Sequence, residues 1–522
     1  MSDRCLVVLE VSQKQNFIFR ANELKQNVGA SMIVRYVTEE IGDIFCKDEE
    51  FFFAGGGKSV YDFASREDAV AFVEKVSKKA IVSYPGIELF AGLAEYDEDE
   101  RMPDVMNRAF AHLNQKKSER KGSYRLDGIG LARTSPDSAM PVADKDGNTE
   151  GLSAEGFVKE QFAVRPDQIE YFKKYLPEGD YAFPFEFDEL GVTKNSKSYI
   201  AVIVVDGNRM GKKFSRFSKI YDEKYKDADV AAVNEEYKRD YRELSDAVDE
   251  IYNQAVLETN RIVAACLDWL IEDGVVSDKR DIHDKVLKKK VSYLPVRPIV
   301  VAGDDICIVT DARIGLSYAR ILLSKIKEFS QGKQVAGVDL NMKACAGVAM
   351  VKSHYPFFRA HELAEDLCNN AKKKIDLPRE DDLTGEKGNA SIIDFHIVQG
   401  EIEGSVKEIR DEKYDGGDLT GKPYFLSGKN TRGLHAWDEL IHRIIRLKQG
   451  TDDSEKKDKS ASIGRGTLKE YRQALQDGEV AMVKFRNHKR IDRSFDDWNY
   501  DRGMDFDAIE IMDLYHDLEK YK

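Results

Sequence analysis

The stretch Arg297–Asp311, RPIVVAGDDICIVTD, sets two apolar runs, Ile299–Val301 and Ile306–Val309, on either side of the adjacent carboxylates Asp304 and Asp305. Runs rich in β-branched residues around a glycine-bearing turn predict a hairpin, and Gly-Asp is ordinary turn chemistry. One aspartate is thereby accounted for. Two adjacent carboxylates repel each other, so their pairing at the tip of an apolar hairpin points to a cation that both can face.

Working outward from this hairpin, three landmarks occur twice in the same order. CLVVLEVSQKQNFIF (5–19) resembles YIAVIVVDGNRMGKKF (199–214), each an apolar strand that ends in an acid, Glu10 or Asp206, before a polar turn. FFFAGGGKSVYDF (51–63) resembles the Asp304–Asp305 hairpin. IELFAGLAEYD (87–97) resembles MKACAGVAMVKS (342–353), with the same Ala-Gly inside a strand. Helical spacing lies between the landmarks, as in Ile314, Tyr318, Ile321, Leu322, Ile326 and Phe329. The order strand, helix, strand-turn-strand, helix, strand is the ferredoxin-like β-α-β-β-α-β pattern. Two unrelated α+β domains could share one landmark by chance; three in one order favour duplication. A trailing helix follows each copy, at Pro103–Lys117 and Pro356–Lys374.

The predicted fold class is therefore α+β, with two ferredoxin-like domains and a C-terminal helical domain. The first copy takes residues 1–120 and a connector with little periodicity takes 121–197. The second copy spans 198–395, with a helical insertion at about 215–290 in which Ile251, Val256, Ile262 and Leu267 keep helical spacing. Residues 396–522 form the mostly helical remainder. The charged run Thr451–Ser460 reads as a mobile loop.

Composition narrows the function. Of 522 residues, 42% are apolar and 33% charged, the balance of a soluble globular protein. A net charge of −14 argues against a sequence-blind nucleic-acid binder but leaves room for nucleotides held through a metal and local lysines. The six cysteines form no C-x-x-C pair, so no zinc ribbon or disulfide framework is signalled. The N-terminal apolar run ends at Glu10, too short for a signal peptide or membrane span, which makes a cytoplasmic location and no membrane partner the expectation.

In the ferredoxin-like order the first strand neighbours the central hairpin. Asp206, Asp304 and Asp305 should then converge, although about a hundred residues separate them in sequence. Clustered carboxylates are hard oxygen ligands suited to magnesium or manganese, and a pair of such ions serves chemistry at phosphorus. A solvated turn beside an unrelated strand-end aspartate is the plain alternative, and Gly-Asp-Asp alone would not displace it. The topology does. The turn after Asp206 (Gly207, Asn208, Arg209, Met210, Gly211) and Gly303 offer backbone N–H groups to phosphate. For the basic residues Arg209, Lys212 and Lys213 alone, an ordinary strand-to-helix loop is the stronger reading. Lys372, Lys373 and Lys374 close the trailing helix, and serve equally well as complements to its dipole or as a phosphate contact. The first copy has only Glu10 and the turn Gly55, Gly56, Gly57, so it should hold no metal pair; it could complete a binding surface or take a second nucleotide. Gly416-Gly417-Asp418 lacks strand-like flanks, and neither His283–Asp284 nor His516–Asp517 has further histidines at metal spacing.

These motifs resemble a known family. VVDGNRMGKKF, VVAGDDICIVT, ACAGVAMVKSHYPFFRAHELAEDLCNNAKKK and SIIDFHIVQG are similar to the second palm domain of the large polymerase-like subunit of type III CRISPR effector complexes. LEVSQKQNFIF and FFFAGGGKSV are similar to its first palm, and GKPYFL with the helices after it to its C-terminal domain. The resemblance implies synthesis of cyclic oligoadenylates, antiviral second messengers, by attack of one ATP's 3′-hydroxyl on another's α-phosphate. It implies metal ligation by Asp206 and Asp304, completed by Asp305 and the Gly207 carbonyl, and a phosphate contact at Lys372. It also implies RNA-guided effector subunits or an RNA activator as partners; a homodimer is the other arrangement considered. Ala302 stands where the family has the first glycine of Gly-Gly-Asp-Asp. No HD nuclease domain or cysteine-rich zinc module is evident, so a reduced relative is expected. Alternatives are a diguanylate or mononucleotide cyclase, or a non-catalytic scaffold.

Overall fold

The computed structural model describes residues 4–119, 133–136, 138, 140–143, 151–190, 198–226, 228–376, 390–400, 404–415, 418–426, 435–449, 464–489 and 501–521. The charged run Thr451–Ser460 and the glycines Gly416 and Gly417 lie outside these residues.

The first half follows the order β1 (Arg4–Val11), α1 (Lys14–Phe19), α2 (Leu24–Arg35), β2 (Phe51–Gly55), β3 (Lys58–Phe63), α3 (Arg66–Ser83), β4 (Leu89–Tyr96), α4 (Met102–Ser118). The strands pair antiparallel in the order β2–β3–β1–β4. Local chemistry fixes the helix starts. The Ser65 hydroxyl accepts from the Asp68 N–H to cap α3, and Pro103 occupies the first turn of α4.

The connector is more ordered than its weak periodicity suggests, with α5 (Ala154–Ala163), α6 (Pro166–Phe172) and β5 (Tyr181–Ala182). Helices of two or three turns offer too few repeats to read as periodic. Lys159 of α5 is buried, donating to Glu155 at 2.7 Å and to the Phe17 carbonyl at 2.6 Å, which fastens α5 to the first domain.

The second half runs β6 (Tyr199–Gly207), α7 (Met210–Lys224), α8 (Val230–Ala265), α9 (Leu267–Glu272), β7 (Ile282–Asp284), β8 (Lys289–Tyr293), β9 (Val296–Ala302), β10 (Asp305–Asp311), α10 (Ala312–Ser330), β11 (Gln334–Val335), β12 (Val338–Asp339), β13 (Ala344–Lys352), α11 (Phe357–Lys372), β14 (Ile392–Ile397). The insertion expected to be helical to about 290 ends instead in the β7–β8 hairpin, where Val291 and Tyr293, two residues apart, are the buried positions, the period of a strand. With β15 (Tyr424–Phe425) and β16 (His435–Ala436) the sheet order is β16–β15–β14–β13–β6–β10–β9. Four of its strands, β9–β10–β6–β13, repeat the order β2–β3–β1–β4, so the α+β class with two ferredoxin-like units stands. Among the described residues the two short strands interrupt a mostly helical tail, in which helix Arg502–Ile511 is followed by the short turns Met512–Leu514 and Leu518–Tyr521.

The repeated Ala-Gly has a packing cause. A Cβ at Gly92 would run into the backbone of Ala109 and Leu113 on α4; one at Gly347 would run into the backbone of Ala364 and Cys368 on α11. Each glycine lets the trailing helix lie directly on the last strand.

The halves meet along α1 and α11. Gln15 donates to Glu365 at 2.9 Å, the Phe357 N–H donates to Asn22 Oδ1 at 3.1 Å, and Phe19 stacks on His361 with ring centroids 3.7 Å apart. Helix α8 bridges both: Arg242 donates to the carbonyls of Phe51 and Phe52, each at 2.8 Å, and Lys238 pairs with Asp62 at 2.7 Å. Among the described residues no helix is long and apolar enough to cross a membrane.

Candidate active site

The β6–β10 register places Val205 opposite Ile306, so Asp206 and Asp305 leave the same end of the sheet on adjacent strands. Between β9 and β10 the turn passes through Gly303 at φ +61°, a left-handed conformation that glycine adopts at no steric cost. Asp304 follows and packs against Gly207: a Cβ on that glycine would come within 2.7 Å of the Asp304 Cβ and 3.0 Å of its Oδ2. The same point is 2.6 Å from the Tyr252 hydroxyl, which is buried and among the described residues has no hydrogen-bond partner.

The electrostatics follow from this crowding. Burial, then the neighbouring charges of Asp305 and Asp206, push the Asp304 carboxyl up to about 6. Burial also raises Asp206, against the opposing pull of Lys372. The Tyr252 phenol is raised by burial and then by Asp304, Asp206 and Asp305, so all three carboxylates act on one spot.

Two lysines answer that negative charge. Lys372, the last residue of α11, forms an ion pair with Asp206 and donates to the Gly207 carbonyl at 3.1 Å. Lys14 comes from the other half: its ammonium donates to Asp305 Oδ2 at 3.0 Å and to the Gly56 carbonyl at 3.2 Å, tying the two hairpin turns together. Among the described residues no three His, Cys, Asp or Glu side chains are grouped as a metal cage. The chemistry of the donors nonetheless fits a hard divalent cation, since Asp304 is acted on by the charges of Asp305 and Asp206 and all the groups present, the Gly207 carbonyl included, are oxygen donors.

A cleft of about 900 Å³ opens between the two hairpins. Glu10, Lys14, Phe53, Gly55, Gly56, Lys58 and Phe110 line it from the first half, and Gly303, Asp304 and Asp305 from the second. Met210 and Phe214 of α7 and Tyr241, Ser245, Val248 and Asp249 of α8 form its third wall. Asp249 is pushed up to about 6, chiefly by burial. Gly56 and Gly57 have φ values of +62° and +80°, and the space around the Gly56 Cα is open.

The other sequence candidates lie around this cleft. Asn208 is buried and donates to the Ala390 carbonyl at 2.7 Å. Arg209, at φ +58°, pairs with Asp376. Gly211 sits in the first turn of α7 with nothing against its Cα. β6 lies between the hairpin and β13, the strand before α11, and Lys372 reaches the end of β6 at Asp206 and Gly207. Sequence reasoning missed Lys14 and the α8 face Tyr241, Ser245, Asp249, Tyr252, whose spacing of four, four and three residues was the available signal. It also missed Lys117, at the end of α4, which pairs with Glu10 at 3.0 Å.

Residues 199–380 match the family described as Cas10/Cmr2, second palm domain. No curated protein matches the chain by sequence. Among solved structures, the chain is similar to one in a Csm1–Csm4 cassette in complex with cA4, at 13% identity and a TM-score of 0.50, over 98% of this chain and 70% of that one. It is similar in the same way to Csm1 of T. onnurineus, at 14% identity and a TM-score of 0.50, again over 98% and 70%. At such identities the likeness is one of fold.

Proposed function

We propose that this chain, which carries a Cas10/Cmr2 second palm domain and is a relative of the large subunit of type III CRISPR effectors, is a metal-dependent nucleotidyltransferase that joins NTPs, ATP foremost, through 3′–5′ phosphodiester bonds into cyclic oligonucleotides for antiviral defence. The observation that carries this reading is the asymmetry of the cleft. One wall presents Asp304 and Asp305, with Asp206 beside them at the end of β6; the opposite wall presents a glycine turn without carboxylates, with Glu10 its one acid in the lining, and Lys14 spans the two turns. A site that links two nucleotides needs one wall for a donor and one for an acceptor. A cleft of about 900 Å³ lies at the upper end of small-molecule sites.

In each linkage a 3′-oxygen bonds to an α-phosphorus, the bond from that phosphorus to the bridging oxygen breaks, pyrophosphate departs and the hydroxyl proton is lost. Asp206, Asp304, Asp305 and the Gly207 carbonyl would hold two magnesium or manganese ions. Such ions, when bound, neutralise phosphate charge and acidify the attacking hydroxyl. Lys372 is proposed to contact donor phosphates. The backbone of Gly55–Gly57 allows close approach of the acceptor. Phe53, Phe110, Phe214 and Tyr241 supply flat surfaces for bases. Orientation of this kind contributes much of the rate in phosphoryl chemistry.

A chain of like fold crystallises in a Csm1–Csm4 cassette with cA4, so a cyclic oligoadenylate is the first product to seek and a Csm4-like subunit the first partner. The test is mass spectrometry of products from purified protein incubated with each NTP, and with all four, in manganese. Cyclic oligoadenylates from wild type and none from a folded Asp304→Ala/Asp305→Ala variant are expected. A cyclic dinucleotide made from GTP alone would replace this reading with that of a diguanylate cyclase, and near-normal yield from the double variant would end the assignment of the site.

A further inference from the structure

A second cavity, of about 570 Å³, lies between the connector and the edge strand β9, away from the cleft. Its walls are largely apolar, with Ile169, Phe172, Phe183, Phe185 and Leu287 among them, and Arg297 of β9 enters the lining. The Arg297 side chain is 3% exposed. Its guanidinium carbon lies 4.4, 4.8 and 5.6 Å from the ring centres of Phe172, Phe185 and Phe183. Among the described residues its Nε has no hydrogen-bond partner and no carboxylate counters its charge. The other charged groups in the lining, Glu170, Lys173, Glu178 and Lys289, are exposed and do not fill that role. Glu170 is bound by Lys173 at 2.5 Å, and Lys289 by Asp180 at 3.1 Å.

Buried cations are ordinarily paired, because desolvation of an isolated charge is too costly to leave unanswered. Stacking on aromatic faces meets part of that cost but leaves the guanidinium's in-plane donors unused. Burial with no compensating charge pushes the group down to about 9. A half-open, largely apolar space of this size with one buried convergent charge has the make-up of a small-molecule site.

We propose that this cavity binds a small amphiphilic anion, a carboxylate or phosphate carried on an apolar or aromatic body. The anion sits on the free donors of Arg297, and the body lies against Ile169, Phe172 and Leu287. The proposal is independent of the chemistry assigned to the cleft.

Thermal unfolding of the full chain tests it with matched probes: octanoate against octanol, and phenyl phosphate against phenol. A saturable rise in melting midpoint with at least one anion, well above its neutral counterpart, is expected. Octanoate alone would assign the site to carboxylates and phenyl phosphate alone to phosphates. Arg297→Met, which exchanges an uncompensated buried cation for an apolar chain of similar length, should fold and lose the preference for the anion. Ile169→Trp keeps the arginine but fills the cavity and should lose the shift altogether. Equal shifts with charged and neutral probes, or an anion shift that survives in both variants, would overturn the proposal.

Discussion

His361 lies on α11 where the two halves meet, 4% exposed and stacked on Phe19 of α1 at 3.7 Å between ring centres. Burial lowers its imidazole from an ordinary value of 6.5 to about 4. In the unfolded chain the ring takes up a proton near its ordinary value, whereas in the folded protein it stays neutral until near 4. Between those values the unfolded state binds more protons, so stability rises with pH across the window, is fully present above it and is lost as pH falls through it. The whole shift corresponds to about 3 kcal/mol, and about 2 kcal/mol of that falls between pH 7.5 and 5. His361→Phe keeps an aromatic ring against Phe19 and removes the proton site. Urea unfolding at the two pH values should show wild type losing about 2 kcal/mol more than the variant on acidification. Curves for the two proteins that fall in parallel would refute the argument, because the proton would then be taken up elsewhere.

Three further outcomes follow from the site and the packing. Asp206→Asn should abolish product formation while Glu10→Gln keeps most of it, in initial-rate assays on equally stable proteins; equal losses would remove the distinction between the halves. Gly56→Leu adds a side chain at an open, left-handed position facing the cleft, at a backbone cost of about 1–2 kcal/mol. Calorimetric titration with a non-hydrolysable ATP analogue and magnesium should find two sites in wild type and one in this variant, whereas one site in wild type with turnover untouched by the change would point to a dimer that pairs two second domains. Gly347→Ala drives a methyl into the backbone of α11 and should lower the melting midpoint by an amount equivalent to at least about 1–3 kcal/mol; a variant that melts with wild type would mean α11 is not seated on β13 as described.

Much of the fold was legible because its signals are local. The hairpin at Asp304 is marked by β-branched runs around a glycine turn, and the duplication by three landmarks in one order. The reason for the third landmark was not legible, since the contact of Gly347 with α11 depends on where a helix is laid down, not on the strand's own sequence. The α8 face was hidden for a related reason. Its periodicity announces a helix, but Tyr241, Ser245, Asp249 and Tyr252 read as any polar-aromatic face until the cleft supplies the other two walls. Lys14 was less visible still, because its partner Asp305 is 291 residues away.

The duplication also bears on which residues distinguish the two halves. In each, an acid at the end of the first strand is paired with a lysine from the end of the trailing helix: Glu10 with Lys117, Asp206 with Lys372. That pairing is thus a property of the shared fold, and Lys372 cannot be assigned to phosphate on its contact with Asp206 alone, since Lys117 makes the same contact in a half without clustered carboxylates. The halves part company at the hairpin turn, Gly55-Gly56-Gly57 in one and Gly303-Asp304-Asp305 in the other. Only the second turn adds charge that the strand-end lysine does not cancel; this surplus adds to burial in lifting Asp304, and Lys14 reaches it from the opposite wall. On the proposed reading, what separates the half that would hold cations is the turn rather than the strand end, and Lys14, which bridges the turns, is the group an incoming cation would compete with.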